Sequence, residues 1–213
     1  PTHSVKTRLH FTRPVDPEVI QRCIETALYA PSGGNNQGWQ FMVVTDEEKR
    51  LALGDIYRKG YRVNIESYGP GGNRAQWRDG DVRKEQSRSM RNNSDYLAEH
   101  MHEAPALVIA CIETDMEEMA LLYQPKFRAF HLASLYGSIL PAAWSLMLAL
   151  RARGLGAAWT TAHLICEDEV AELLGIPDHV LQAALLPVAY FKGADFGPAR
   201  RRPIQEVTHW NVW

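Results

Sequence analysis

Apolar residues recur every three or four positions over residues 17–29, and this spacing predicts an amphipathic helix. Asp16 and Pro17 open the pattern, which is typical of a helix start because aspartate can cap free N–H groups and proline fits the first turn. Pro31 ends the helix. Apolar spacing and flanking turn residues predict four more helices, over residues 46–59, 94–103, 130–153 and 167–175.

Runs of aliphatic, aromatic and β-branched residues predict strands. They cover residues 39–45, 106–112, 157–161 and 183–191. The run at 106–112 is apolar throughout, which predicts burial on both faces of a sheet. Helices and strands alternate irregularly, so the pattern favours a single α+β domain over residues 1–213 and not a doubly wound parallel sheet.

Two segments depart from simple amphipathic patterning. Residues 60–93 lack apolar periodicity and are rich in glycine, arginine and asparagine, so we predict a mobile excursion there, either a lid over a site or a floppy surface loop. Residues 130–153 are apolar almost all round, which predicts a helix at the centre of the core or in a subunit interface. Interruptions such as Pro141 and Ser145 argue against a membrane span.

The bulk composition is that of a globular protein, with 46% hydrophobic and 23% charged residues. A formal net charge of -2 provides no broad attraction to nucleic acid or to an anionic membrane, so neither partner is expected. The first residues, PTHSVKTR, contain no apolar signal segment, and we expect a cytoplasmic protein.

Cysteine and histidine spacing predicts no metal site. The three cysteines, Cys23, Cys111 and Cys166, are odd in number and widely separated, which fits buried thiols better than a disulfide framework or a zinc site. His100 and His102 are two residues apart, which puts them on different sides of a helix.

Motifs for nucleotide binding and nucleophilic catalysis are missing from the sequence. GLGAAW, at 154–159, contains Gly-x-Gly but follows a predicted helix, the reverse of the Rossmann order, and no Walker or GxSxG motif occurs. Basic residues stand near both ends, at Lys6, Arg8 and 200–202; they are either solvated surface patches or ligands for a phosphate. Few candidate catalytic side chains, together with basic residues near both ends of the chain, are typical of a protein that holds a phosphorylated organic cofactor.

The loop APSGGNNQGWQF, at 30–41, has more polar and glycine residues than a plain connection needs. It resembles the loop Ala-Pro-Ser-x-x-Asn-x-Gln-Pro-Trp of the FMN-dependent nitroreductase family, which includes iodotyrosine deiodinase-like members, except that Gly38 replaces proline. Later segments resemble that family as well: GLGAAWTT, LLGIPDHV, LLPVAYF with Ala189 in place of glycine, and RRRPIQEV.

The resemblance implies a nitroreductase-like fold, with a central, mainly antiparallel sheet flanked by helices. It also implies an intertwined homodimer with two FMN sites at the subunit interface. Arg8 matches the last arginine of the family motif Arg-Arg-Ser-x-Arg, although this chain reads SVKTR, with Lys6 as a second positive charge. Arg201 would contact the same phosphate from the other end of the chain.

The remaining implied site residues surround the flavin ring. Ser32, Gly33, Asn35 and Gln37 come from the loop; the first three would lie against the ring. Thr160 and Thr161 would lie near its N5 edge, with Thr161 as the catalytic candidate, since a hydroxyl there can stabilise the charge of reduced flavin.

The implied function is an FMN-dependent oxidoreductase that passes hydride from NAD(P)H, its co-substrate, to a nitroaromatic, a quinone or a similar small acceptor. Two alternatives stay open at this point: a protein that stores or sequesters FMN with little turnover, and a reductive dehalogenase on the same scaffold. The excursion at 60–93, with Tyr61, Tyr68 and Trp77, would help to select the acceptor.

Overall fold

Within residues 4–68, 77–193 and 196–213, which the computed structural model describes, four strands form an antiparallel sheet. The strands are β1 (Trp39–Val44), β2 (Ala106–Glu113), β3 (Leu155–Ala157) and β4 (Val180–Tyr190). Their order across the sheet is β1-β2-β4-β3, so β1 and β3 are the edges. A register shift between Ala110 and Cys111 interrupts the pairing of β2 with β4.

Helices cover both faces of the sheet. They are α1 (Pro17–Ala27), α2 (Glu47–Ser67), α3 (Val82–His100), α4 (Met116–Leu122), α5 (Pro125–Ala152) and α6 (Glu167–Leu174). On one face, Val108 and Leu186 pack with Ile20 of α1 and Leu146 of α5. On the other face lie α2, α3 and α6, whose buried members include Leu53, Leu97 and Val170. Burial of β2 on both faces is therefore confirmed.

Helix starts follow the predicted caps. The Asp16 carboxylate accepts the Glu18 N–H at 2.9 Å, and the Asp46 carboxylate accepts the Lys49 N–H at 2.9 Å. Each cap satisfies a backbone donor that the first helical turn leaves without an intrahelical partner. The prediction of α1 over 17–29 is confirmed to within two residues at its C-terminal end.

The predicted excursion at 60–93 is wrong at both ends. Helix α2 continues to Ser67, and α3 begins at Val82, while residues 69–76 lie outside the described residues. Both extensions are polar surface helices with a narrow apolar side, so their composition conceals the helical period. Tertiary contacts hold them: the Tyr61 hydroxyl of α2 donates to the Asp95 carboxylate of α3 at 2.7 Å.

Helix α5 begins at Pro125, five residues before the predicted start, and α4 precedes it where no helix was predicted. Among the described helices, α5 alone is long and apolar enough to cross a membrane, with a mean hydropathy of 1.4 over 18 residues. However, 44% of that window is buried inside the protein. Ile139, Leu146 and Leu150 are fully buried, so α5 is a core helix.

Two strands also differ from the prediction in their boundaries. Strand β3 begins at Leu155, earlier than predicted, and ends at Ala157; Thr160 continues the edge only as an isolated bridge to Leu185. Strand β4 begins at Val180, three residues before the predicted start. The three cysteine thiols are all buried, as predicted, and burial raises the pKa of Cys111 to about 12.

Candidate functional site

A cavity of about 650 Å³ lies between the N-terminal segment, α3, α5 and the C-terminal tail; we call it the basic cavity. Three basic side chains line it: Lys6, Arg8 and Arg201. Its lining among the described residues contains no carboxylate, so its chemistry favours an anion. The remaining lining residues are Ser4, Val5, Thr7, Gln86, Ser89, Met90, Asn93, Trp144, Phe196 and Ala199.

The N-terminal segment is fixed against the edge of the sheet. The Val5 N–H donates to the Ala157 carbonyl at 2.9 Å, and the Val5 side chain is buried. A side chain on Gly156 would crowd Val5, because an added Cβ would lie 3.0 Å from the Val5 Cβ. Leu9 is also fully buried and bridges to Phe191. These two anchors flank Lys6 and Arg8 and so position both basic residues.

Lys6 and Arg8 are held by different partners. The Lys6 ammonium donates to the Ser94 hydroxyl of α3 at 2.8 Å, and burial lowers the Lys6 pKa. The Arg8 Nε donates to the Lys192 carbonyl at 2.8 Å, and its guanidinium carbon lies 4.0 Å from the centre of the Phe196 ring. An anion beside Lys6 would favour its charged form and offset the cost of burial.

The three tail arginines are not equivalent. Arg200 pairs with Glu85 of α3 at 2.8 Å, and Arg202 pairs with Glu206 at 3.1 Å. Arg201 donates to the Arg200 carbonyl at 3.0 Å, and it is the one of the three whose side chain lines the basic cavity. Among these arginines, the geometry therefore favours Arg201 as the partner of a phosphate in that cavity.

The loop at 32–37 lies against α5 and does not line the basic cavity. The Gly33 N–H donates to the Ser138 hydroxyl of α5 at 2.9 Å, and an added Cβ at Gly33 would lie 2.5 Å from the Ser134 Oγ. The Ser32 hydroxyl accepts the Gln37 N–H at 3.1 Å. Asn35 and Gln37 are exposed, with φ angles of 56° and 52°.

The two threonines differ in exposure. Thr160 is buried, and its hydroxyl donates to the Leu185 carbonyl at 2.6 Å. Thr161 is exposed and follows directly, just before the 3₁₀ turn Ala162–Cys166. The preceding Trp159 N–H donates to the Ser4 hydroxyl at 3.1 Å, which ties the threonine segment to the basic N-terminal segment. Neither threonine lines the basic cavity, and of the two only Thr161 is exposed to solvent.

The sequence did not indicate several polar and aromatic residues of the basic cavity. Gln86, Ser89 and Asn93 lie at helical spacing on one side of α3, and Trp144 of α5 also lines the cavity. The first three fell inside the segment predicted as a loop. Their i, i+3, i+7 spacing would have placed them together if the helix had been recognised.

Taken together, the four-stranded antiparallel sheet, the basic cavity and the polar loop define a class of protein. Residues 3–190 match the model of the nitroreductase family, and the chain belongs to this family. The predicted nitroreductase-like α+β fold, with an antiparallel sheet flanked by helices, is confirmed.

The relatives differ in activity. The chain is 29% identical over 202 residues to iodotyrosine deiodinase 1 of Rattus norvegicus; the match covers 94% of this chain but 64% of that protein. Its fold is similar to that of an iodotyrosine deiodinase bound to FMN and 3-iodo-L-tyrosine, with a TM-score of 0.67, 21% identity and coverage of 100% of this chain and 96% of the other. It is also similar to an FMN and NADPH-dependent nitroreductase from sphigopyxis sp. strain HMH, with a TM-score of 0.63, 22% identity and coverage of 100% and 96%.

Proposed function

We propose that this protein is an FMN-dependent oxidoreductase that passes hydride from NAD(P)H to a small electron acceptor. The observation that carries the proposal is the basic cavity, in which Lys6, Arg8 and Arg201 converge from opposite ends of the chain. The choice of cofactor is supported by family membership, by the FMN bound in the similar iodotyrosine deiodinase and by the FMN dependence of the similar nitroreductase.

The residues of the basic cavity fit FMN. Its volume of about 650 Å³ lies in the usual range for small-molecule sites, and its three cations match a phosphate. Met90 and Trp144, both exposed, add apolar surface for a flat ring. When bound, FMN supplies a ring that accepts hydride from NAD(P)H and gives it to a second substrate.

The chain's own residues would bind and orient these groups. Arg8 is the best-prepared phosphate ligand, because its guanidinium is already fixed by the Lys192 carbonyl and the Phe196 ring. Thr161 remains the catalytic candidate: it is exposed, so its hydroxyl can donate a hydrogen bond toward the reduced ring, whereas the Thr160 hydroxyl is occupied by a backbone carbonyl. Thr160 would act by fixing its neighbour, because its backbone N–H and carbonyl both pair with Leu185.

We propose that the working unit is a homodimer. The loop residues Ser32, Gly33, Asn35 and Gln37 do not line the basic cavity of their own chain, so the loop of a second copy would complete it. Helix α5 supports this arrangement, because it presents Phe130 with 71% exposure and both Trp144 and Leu148 with 43%. Apolar side chains exposed along one helix are typical of a surface that another chain covers.

The second candidate function is reductive dehalogenation of a halogenated phenol. It is favoured by the similarity to iodotyrosine deiodinases, which extends over 94% of this chain. Both reactions would use the same cavity, so the choice lies in the acceptor. The cytoplasmic location stays a prediction, and the choice between a lid and a floppy surface loop within 60–93 stays untested, because residues 69–76 lie outside the described residues.

The test is an anaerobic titration of the purified protein. We expect a yellow protein with an oxidised flavin spectrum that bleaches when NADH or NADPH is added. A subsequent nitroaromatic or quinone should restore the colour, whereas restoration by 3-iodotyrosine with release of iodide would select the dehalogenase. A protein that takes up no FMN refutes the proposal. A yellow protein that neither NADH nor NADPH bleaches is a flavin-storage protein.

The dimer has its own test. Light scattering on the eluted protein should give twice the mass of the 24.1 kDa chain. Leu148→Glu should convert it to a monomer and release FMN, because a charge buried in an apolar interface is strongly unfavourable. Glutamate at the exposed Leu51 of α2 is the matched control and should leave both properties unchanged. A monomer that holds FMN firmly would contradict this model.

A further inference from the structure

A second cavity of about 430 Å³ adjoins the basic cavity, and we call it the arginine pocket. The two share Gln86 and Arg201 in their linings, so a ligand in one could extend into the other. The arginine pocket lies at the N-terminal end of α3 and against the C-terminal tail. Its lining residues are Val82, Arg83, Gln86, Arg200, Arg201, Arg202 and Val207.

The charge of the arginine pocket favours a phosphate. Four of its lining residues are arginines, and no carboxylate lines it among the described residues. Three of these arginines have acidic partners: Arg83 pairs with Asp81 at 2.6 Å, and Arg200 and Arg202 pair with Glu85 and Glu206. A guanidinium has five N–H donors and one carboxylate occupies at most two, so donors remain for a second anion.

The acidic partners fix the arginines without cancelling their function. The Asp81 carboxylate, for example, accepts from two nitrogens of the Arg83 guanidinium, at 3.0 and 2.6 Å, and these hydrogen bonds lower the Asp81 pKa to about 2. The carboxylate therefore holds the Arg83 guanidinium in one orientation. Arg202 is held in the same way by Glu206, whose carboxylate and backbone carbonyl both accept from it. Guanidinium groups that are already oriented lose less freedom when they bind a phosphate.

The apolar lining suggests what accompanies the phosphate. Val82 opens α3 and Val207 follows the turn Ile204–Glu206, so two aliphatic side chains stand beside the four guanidinium groups. A purine ring packs on aliphatic carbon and stacks on planar guanidinium groups. A phosphorylated adenosine therefore matches both the charge and the apolar part of this lining.

We propose that the arginine pocket binds the phosphoadenosine part of a ligand whose reactive ring occupies the basic cavity. This proposal rests on the function proposed above, since the basic cavity must take a redox ring. Two ligands carry the required chemistry: NADPH, with its 2′-phosphate, and FAD, with an adenosine phosphate beyond the position of the FMN phosphate. Both would reach the arginine pocket past Arg201 and Gln86.

The direct test is calorimetric titration of the purified protein with adenosine 2′,5′-bisphosphate. We expect saturable binding that weakens at least tenfold in Arg83→Gln/Arg202→Gln. Arg22→Gln is the matched control, because Arg22 forms the same i,i+4 pair with a glutamate as Arg202 but stands on α1. It should bind like the wild type. No binding by wild type, or equal binding by the double variant, would overturn the proposal. Circular dichroism confirms that each variant is folded.

Two further measurements distinguish the ligands. If NADPH is the ligand, the double variant raises the KM for NADPH at least tenfold and leaves the KM for NADH and the kcat unchanged. If FAD is the ligand, the double variant loses FAD affinity and keeps FMN affinity. If the double variant changes neither the KM for NADPH nor the affinity for FAD, a ligand that spans the two cavities is refuted. The bisphosphate titration requires no flavin. A protein that takes up no FMN would therefore refute the proposed function, while the titration would still test the arginine pocket.

Discussion

The buried imidazole of His163 should make this protein unusually sensitive to mild acid. His163 lies in the turn Ala162–Cys166, which packs against α2, and the side chain is fully buried. Neither ring nitrogen has a hydrogen-bond partner among the described residues. Burial lowers the His163 pKa from 6.5 to about 4, because the charged ring would lose its hydration without gaining a partner.

The sign and size of the effect follow from this shift. In the folded state the imidazole stays neutral down to about pH 4, whereas in the unfolded chain it binds a proton below pH 6.5. The unfolded state therefore binds more protons between these values, so the free energy of unfolding falls as the pH drops through that window. At about 1.4 kcal/mol per pKa unit, the loss is roughly 2 kcal/mol at pH 5 and approaches about 3 kcal/mol below pH 4.

Urea denaturation from pH 7.5 to pH 4.5 measures this loss. His163→Leu should flatten the decline by about 2 kcal/mol at pH 5, and should cost less than about 1.5 kcal/mol at pH 7.5 because no hydrogen bond is lost. His209→Leu is the control: His209 is exposed in the tail, so its removal should keep the wild-type decline. Equal pH dependence in wild type and His163→Leu would refute the reasoning.

Two further predictions concern packing near the site. Gly60→Ala should lower the free energy of unfolding by about 2 kcal/mol, because the added Cβ would collide with the Ala162 carbonyl oxygen. Gly137→Ala is the control and should cause no loss, because the space around its Cβ is open. Equal urea midpoints for the two variants would contradict this prediction. Ser138→Ala should lower the free energy of unfolding by about 1–2 kcal/mol, because it leaves the Gly33 N–H without its acceptor. Ser145→Ala, on the same helix, is the control and should cost less than half as much. Thermal denaturation of both variants measures the difference.

Local signals predicted the elements that carry strong local patterns. The caps at Asp16 and Asp46 and the apolar run of β2 depend on neighbouring residues, so the sequence alone was sufficient. The later part of α2 and most of α3 were missed because their polar surfaces are stabilised by contacts between distant residues, such as Glu85 with Arg200. Intrinsic helix propensity predicts such segments poorly, because tertiary contacts decide whether they form helices.

The sequence itself indicated basic residues near both ends of the chain as possible phosphate ligands, and the resemblance to a family then singled out Arg8 and Arg201. The structure brings these two arginines and Lys6 into one cavity, although nearly the whole chain separates Arg8 from Arg201. The resemblance also supplied the loop residues, which the fold of a single chain places against α5. Whether the loop of one chain meets the basic cavity of another depends on how the chains assemble, and the periodicity of a single sequence carries no information about this. The polar α3 residues were missed for the same reason as the helix itself.

The central claim is that Arg8 and Arg201 hold the phosphate of FMN, and fluorescence quenching with FMN and with riboflavin tests it most directly. Each of Arg8→Ala and Arg201→Ala should weaken FMN binding roughly 10- to 100-fold, since a hydrogen bond to a charged group contributes about 1.5–3 kcal/mol. Neither should change riboflavin affinity, because riboflavin lacks the phosphate. Arg13→Ala, whose guanidinium packs over Tyr190 at 3.5 Å, is the control and should bind FMN like the wild type. Unchanged FMN affinity in both cavity variants would contradict the account.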